Sequence, residues 1–366
     1  MSQDSLSALN EMDGIEKPGN TSAKSIDQIK QLRRKEITSE LLISGILNQN
    51  KVALSRAITL IESTNTEHQE KANQVIQACM PHANKSLRIG ITGVPGVGKS
   101  TFIEAFGNYL TTLGKKVAVL AIDPSSSISG GSILGDKTRM EELVKNPNAY
   151  IRPSASGDSL GGVARKTRES IVLCEACGFD IIIIETVGVG QSETAVHSMV
   201  DFFLLLNLAG AGDELQGIKR GIMEMADAIV INKADGDNLK RARIAKLDIQ
   251  RALHLFPEKK SGWNPSVHLC SAIEKQGMQE LWQLIESYQI KTLENGFFNQ
   301  NRLKQSTYWM LETINEQLKN NFYHNAEIQS ELEIQKQNVN NNRISPFKAA
   351  QNLLNLYFTS NKINSK

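Results

Sequence analysis

The eight residues Gly93-Val94-Pro95-Gly96-Val97-Gly98-Lys99-Ser100 fit G-x-x-x-x-G-K-[ST], and their flanks give that pattern physical meaning. Leu87 to Thr92 is a short apolar run that reads as a buried strand. From Thr101 onward, Phe102, Ile103, Phe106, Leu110 and Leu113 recur at helical spacing. A strand, a glycine loop and a helix start together make a phosphate cradle. Glycines let backbone N–H groups curl around an anion without a Cβ in the way, and the helix N-terminus adds partial positive charge. Gly93 through Ser100, with Thr101 opening the helix, is therefore the expected phosphate site of a nucleoside triphosphate. Lys99 would reach the β- and γ-phosphates, and the Ser100 hydroxyl would ligate Mg²⁺.

The base is decided far downstream. Asp227 to Asp235 is a second apolar strand ending in N-K-x-D, with Asn232, Lys233 and Asp235 as its polar members. A carboxylate at Asp235 can accept from both N1–H and the exocyclic amine of guanine. Adenine would leave the same carboxylate buried and unpaired, and such a mismatch discriminates by roughly 10⁴ or more. Asn232 and Lys233 would brace the loop, with the lysine stem along the base. A third strand at 266–270 delivers Ser271, Ala272 and Ile273, whose backbone could contact the guanine O6. The expected nucleotide is GTP.

Between these segments Phe179 to Gly188 is a mostly apolar strand with Glu185 at its carboxyl end, the expected place for the acidic group behind Mg²⁺. The pattern there is E-x-x-G where small GTPases have D-x-x-G. Position 189 is Val, where many of them carry the glutamine that orients water, so intrinsic hydrolysis should be slow.

The stretch Glu185-Thr186-Val187-Gly188-Val189-Gly190-Gln191-Ser192-Glu193 resembles the signature of the methylmalonyl-CoA mutase-associated GTPases, a metallochaperone branch that includes proteins once labelled arginine/ornithine transport kinases. Asp123 to Ser127 with Gly130 to Met140, Gly210 to Lys219, and Ile344 to Ala350 resemble the same family, so the likeness runs from about Glu40 to about Leu354. His197-Ser198, Asn207 and Ala209 depart from its usual wording. The resemblance implies a GTPase that gates adenosylcobalamin loading and protection of an acyl-CoA mutase, and a homodimer formed through a C-terminal arm. It also tilts Asp123 and Asp136 toward Mg²⁺, with Lys99, Asp123 and Glu185 as the catalytic set. On the residues alone, Asp123 ends the strand at 117–122, and Asp136 is equally a helix N-cap after a Ser/Gly-rich loop. The Gly210 to Lys219 loop, with Asp213, Glu214 and Lys219, is either a solvated helix start or, as the resemblance suggests, a sensor that passes nucleotide state to the mutase.

A net charge of +2 and the absence of a basic stripe with interleaved aromatics argue against nucleic acid. No apolar run approaches the roughly 18 residues that span a bilayer. The first 36 residues carry acids and no apolar h-region, so they read as a disordered tail and the location as cytoplasmic. Cys174 and Cys177 form C-x-x-C, but with no second pair they read as core thiols on a helix from Leu160 to Gly178.

Strands at about 87–92, 117–122, 149–153, 180–185, 202–208, 227–232 and 266–270 alternate with helices, the sign of an α/β fold with a doubly wound, mostly parallel sheet. Three short helices are expected over Thr38–Met80, and three more at about 301–321, 327–337 and 346–358. The expected domains are thus a tail (1–36), an N-terminal helical extension (37–84), a P-loop GTPase domain (85–292) and a C-terminal helical dimerisation arm (293–360). An arm with little core of its own packs on a second subunit or caps its own sheet. The alternatives in function are a GTP- or ATP-dependent kinase of the arginine/ornithine transport type, and a nickel-insertion GTPase of the same branch. A kinase would need a separate acceptor pocket with a base, and the sequence offers none. A clustered Cys/His site for nickel is likewise not seen.

Overall fold

The computed structural model describes residues 38–122, 140–153, 160–186, 192–210 and 220–363. Asp123, Asp136, Gly188, Val189, Asp213, Glu214, Lys219 and the 1–36 tail lie outside them.

Helices α1 (Ser39–Leu47), α2 (Lys51–Glu62) and α3 (Thr66–Cys79) form the N-terminal extension. Their breaks are chemical. Asn50 and Asn65 each turn a side-chain oxygen onto backbone N–H groups of the following turn, at 2.8 Å to Val52 and to Glu67, which satisfies donors that a helix start leaves orphaned. Seven strands follow: β1 (Leu87–Gly93), β2 (Val117–Ile122), β3 (Ala149–Arg152), β4 (Ile181–Thr186), β5 (Phe202–Leu208), β6 (Ala228–Asn232) and β7 (Ser266–Leu269). They lie in the order β3-β2-β4-β1-β5-β6-β7, and every pair is parallel.

Parallel strands need crossovers, which here are α4 (Lys99–Thr112), α5 (Glu141–Lys145), α6 (Leu160–Ala176), α7 (Ser192–His197), α8 (Arg220–Met225) and α9 (Leu239–Leu253). Helix α10 (Met278–Glu294) closes the domain. The strands are apolar on both faces, and alternate residues feed two cores. Ile89, Ile91, Ile183 and Leu204 pack toward Phe102 and Phe106 of α4 and Leu281 of α10. Ile182, Ile184, Phe203 and Leu205 face α6, α7 and the N-terminal extension. Cys174 and Cys177 are buried free thiols of the second core, and burial pushes the Cys177 thiol up to about 11.

The C-terminal helices are α11 (Phe297–Tyr323) and α12 (Ala326–Asn340), longer at both ends than the apolar spacing suggests, and α13 (Pro346–Ile363), which starts as expected and runs five residues further. The N-terminal half of α11 is fastened to the amino end of the sheet. Arg302 donates to Asp201 Oδ1 at 2.7 Å and Oδ2 at 2.5 Å, and to the carbonyls of Asn84 and Ser86 at 3.0 and 2.6 Å. Beside it Arg88 Nε donates to buried Glu175 at 2.8 Å, and Asp201 Oδ2 also accepts the Arg88 backbone N–H at 2.9 Å. The second half of α11 exposes Met310, Leu311, Ile314 and Leu318.

Candidate active site

The nucleotide-directed segments among the described residues lie at the carboxyl end of the sheet, where open α/β folds bind ligands. The phosphate loop runs from the last residue of β1 into α4. Gly96 and Gly98 adopt φ of 79° and 87°, a left-handed region open to glycine. Gly93 is required for a different reason: a Cβ there would stand 2.6 Å from the Leu206 carbonyl oxygen, so β5 could not lie as close to β1. Lys99 folds back over the loop and donates from Nζ to the Gly93 carbonyl at 2.9 Å. Burial lowers its pKa, opposed by the nearby carboxylates of Glu185 and Glu193. A cation held where water is scarce is poised to meet a phosphate.

Register sets the acidic group. Glu185 pairs with Ile91 of β1 on one side and Ala121 of β2 on the other, so its carboxylate emerges beside the phosphate loop. The Ser100 hydroxyl faces Glu185 Oε1 at 3.4 Å. A hydroxyl and a buried carboxylate side by side are oxygen donors suited to a hard divalent cation, so this pair fits Mg²⁺. Asp123 directly follows Ile122 in sequence, though it and Asp136 are outside the described residues.

The three residues of N-K-x-D do separate jobs. Asn232 is 1% exposed, donates to the Val97 carbonyl at 2.9 Å and accepts the Ala272 N–H at 3.2 Å. Lys233, at φ 56°, donates from Nζ to the Gly96 carbonyl at 2.9 Å. Asp235 accepts a short hydrogen bond from Ser271 Oγ, which in turn accepts the Glu274 N–H at 3.1 Å. The loop carrying Ser271, Ala272 and Ile273 is closed by a Ser271–Gln276 bridge and held to β6 by Ala234 N–H donating to the Cys270 carbonyl at 3.0 Å. Phosphate loop, base segment and third loop thus form one hydrogen-bonded unit.

A family model described as the methylmalonyl-CoA mutase-associated GTPase MeaB matches residues 54–327. The chain belongs to this family. GTPase ArgK of Escherichia coli (strain K12) is 47% identical over 311 residues, 85% of this chain and 94% of that protein. The mitochondrial methylmalonic aciduria type A homolog of Mus musculus is 44% identical over 326 residues, 86% and 79% respectively. A crystal structure of an LAO/AO transport system kinase superposes with a TM-score of 0.71 at 39% identity, covering 88% of this chain and 98% of that one. As a member of the mutase-associated GTPase family, the chain is a P-loop GTPase.

Within this family site, the structure shows polar groups that the motifs do not assign. Ser271 acts through its side chain on Asp235, where sequence reasoning considered only its backbone. Thr186 Oγ1 donates to Thr92 Oγ1 at 2.8 Å, tying the ends of β4 and β1, and buried Glu193 lies 3.4 Å from Thr92 Oγ1. The run Gln191-Ser192-Glu193 carried that signal, but nothing in it says that the carboxylate turns inward.

Proposed function

We propose that this GTPase is a metallochaperone for an adenosylcobalamin-dependent acyl-CoA mutase, methylmalonyl-CoA mutase being the first candidate. The observation that supports it most is the family match over residues 54–327, whose description names that mutase. The joined phosphate loop and base segment add to it, because a nucleotide held by one rigid unit can report its state through the loops around it.

In this reading the loop from Gly93 to Ser100 and Thr101 holds the phosphates, and Lys99 meets the charge that develops on the γ-phosphoryl group. Ser100 and Glu185, joined by Asp123 and Asp136, hold Mg²⁺, which would neutralise the β- and γ-phosphate oxygens. Asp235, positioned by Ser271, reads guanine, and Ala272 and Ile273 offer backbone groups to its O6. With Val at position 189 the attacking water is left unordered, so turnover is slow until the mutase docks. A homodimer buries the apolar stripe of α11, at Met310, Leu311, Ile314 and Leu318. The chain acts in the cytoplasm; no described helix is long and apolar enough to cross a membrane.

The test is GTP turnover with and without a purified methylmalonyl-CoA mutase of the same organism, followed by cobalamin transfer to the apo-mutase. Stimulated turnover and nucleotide-gated transfer are expected. The likeness to a solved transport kinase keeps a second reading open. Labelled GTP incubated with arginine, ornithine and candidate proteins decides it, since label on an acceptor in place of phosphate release would replace the chaperone by a kinase.

A further inference from the structure

Helix α9 leaves the base-reading loop and crosses the outside of the sheet. It starts four residues past Asp235, and Asn238 Nδ2 donates to the Lys233 carbonyl at 2.7 Å, so its first turn is anchored on that loop. Its inner face is narrow, with Ala242 and Ile249 buried. Along its outer face Lys240, Ile244, Leu247 and Arg251 follow one another at helical spacing and continue into Leu255 just past its end. The three apolar members are 62%, 54% and 79% exposed.

The charge on this face is lopsided. Residues 239–260 hold seven Lys/Arg and two Asp/Glu, five positive charges in excess, in a chain whose total is +2. The rest of the chain is therefore net negative by three. One of the seven, Lys259, turns inward to Asp227 at 2.7 Å, which leaves four in excess at the surface. Among the described residues the carboxylate paired on the outer face is Asp248, 3.7 Å from Arg251, while Lys240, Arg241 and Arg243 have no carboxylate within the 4.0 Å of an ion pair. Where the helix ends, Leu253, His254, Phe256 and Lys260, together with the acidic Glu224 and Glu258, line a groove of about 810 Å³.

We propose that the outer face of α9 and the groove at its end form a docking surface for an acidic protein segment with apolar side chains set between its carboxylates. On the function proposed above, which this inference rests on, that segment belongs to the mutase. Complementary charge selects the occupant, since unpaired guanidinium and ammonium groups around exposed aliphatic side chains match carboxylates around apolar ones. A protein fits better than an anionic bilayer. The groove is concave, Asp248 and Glu258 stand among the cations and would repel a continuous sheet of phosphates, and the stripe presents no aromatic ring to seat at a lipid interface. A partner lying along about 22 Å of helix would touch the element that leads directly from the guanine loop.

The experiment is calorimetric titration of the full chain with methylmalonyl-CoA mutase at low and moderate salt. It compares the wild type with the charge variant Arg243→Glu/Arg251→Glu and the apolar variant Ile244→Ser/Leu247→Ser. All four side chains are exposed, so the fold and basal GTP turnover stay as in the wild type. Wild-type affinity is expected to fall as salt rises, and both variants to raise Kd about tenfold or more, with the charge variant losing most of the salt dependence. If the mutase binds both variants as it binds the wild type, α9 is not the docking surface and the chaperone reading stands. If the mutase fails to bind the wild type, both are overturned together. Vesicles containing roughly 30% phosphatidylglycerol that capture the wild type and release the charge variant would put a membrane on this face and overturn the proposal. A change in native mass between wild type and variants would assign the face to a second copy of the chain and overturn it equally.

Discussion

Asn232 Nδ2 donates to the Val97 carbonyl at 2.9 Å, which joins the segment that would select the base to the loop that would hold the phosphates. The same side chain accepts from Ala272 N–H at 3.2 Å, so three loops meet at one buried amide. Asn232→Ala removes a donor and an acceptor and leaves two buried backbone groups unpaired, at about 1–3 kcal/mol each. The expected result is a protein that melts earlier and binds GTP more weakly. Asn232→Asp keeps the acceptor toward Ala272 but turns a second oxygen onto the Val97 carbonyl in a buried site, so it should weaken GTP binding and lower stability as well. Calorimetry and thermal melts on both variants check this, and wild-type behaviour of Asn232→Asp would remove the Val97 contact from the account.

Lys99 is held in a half-buried setting by two loop carbonyls, with its pKa lowered by desolvation. Lys99→Ala should abolish GTP hydrolysis while leaving the circular dichroism spectrum unchanged. A group whose folded pKa lies below its ordinary 10.5 holds its proton less readily when folded than when unfolded, so its contribution to stability improves as pH rises through that interval. The melting temperature of the wild type relative to Lys99→Ala should therefore increase from neutral pH toward pH about 10. Near-normal turnover in the folded variant would dismiss Lys99 from the reaction.

Asp235 is aimed by Ser271 Oγ and not merely by backbone. Asp235→Asn replaces a double acceptor with one acceptor and one donor, and GTP affinity should fall by about 2–4 kcal/mol. Affinity for xanthosine triphosphate should rise, because its C2 oxygen accepts from the new amide. Ser271→Ala should reduce GTP affinity without that change of preference. Unaltered selectivity in Asp235→Asn would take the carboxylate out of the base site.

Glu175 is buried and accepts from Arg88 Nε and Nη2 at 2.8 and 2.9 Å, Ser86 Oγ at 2.8 Å and Asn84 N–H at 2.8 Å. Burial alone would raise its pKa, but the Arg88 guanidinium and these hydrogen bonds outweigh it and hold the carboxyl below its ordinary 4.5. Glu175→Ala strands a buried guanidinium and should cost about 3–5 kcal/mol. The stabilisation from Glu175 is fully present above pH 4.5 and is lost as pH falls through the depressed folded value, because the unfolded carboxyl takes up a proton first. Urea midpoints of wild type and variant at neutral pH and at pH about 3 should converge on acidification; a gap that stays constant would detach it from the ionisation of Glu175.

What the sequence made legible was local and periodic. The seven strands could be read because each is an apolar run closed by a polar or glycine residue, and the phosphate and base motifs because their spacing fits a strand-to-loop junction. The N-terminal extension was legible as three short helices, and the structure sets their breaks at the caps Asn50 and Asn65. Illegible were contacts between distant chain positions. Arg302 meets Asp201 across 101 residues and Arg88 meets Glu175 across 87, and a charged residue within an amphipathic helix carries no sign that it will point inward. Ser271 acting on Asp235 was hidden likewise, since a strand ending in serine looks the same whichever way the hydroxyl turns.

The Arg302–Asp201 pair changes what can be cut from this chain. Its guanidinium comes from α11 and its carboxylate from the entrance to β5, and Tyr288 of α10 donates to the Asp201 carbonyl at 2.9 Å from the same corner. A fragment stopped before Phe297 would keep the P-loop and the N-K-x-D segment yet hold a buried aspartate stripped of its counter-charge. The first turns of the arm are thus a keystone of the sheet, not luggage attached behind it. A working minimal version would have to retain α11 through Trp309, the last of its side chains rooted in the core.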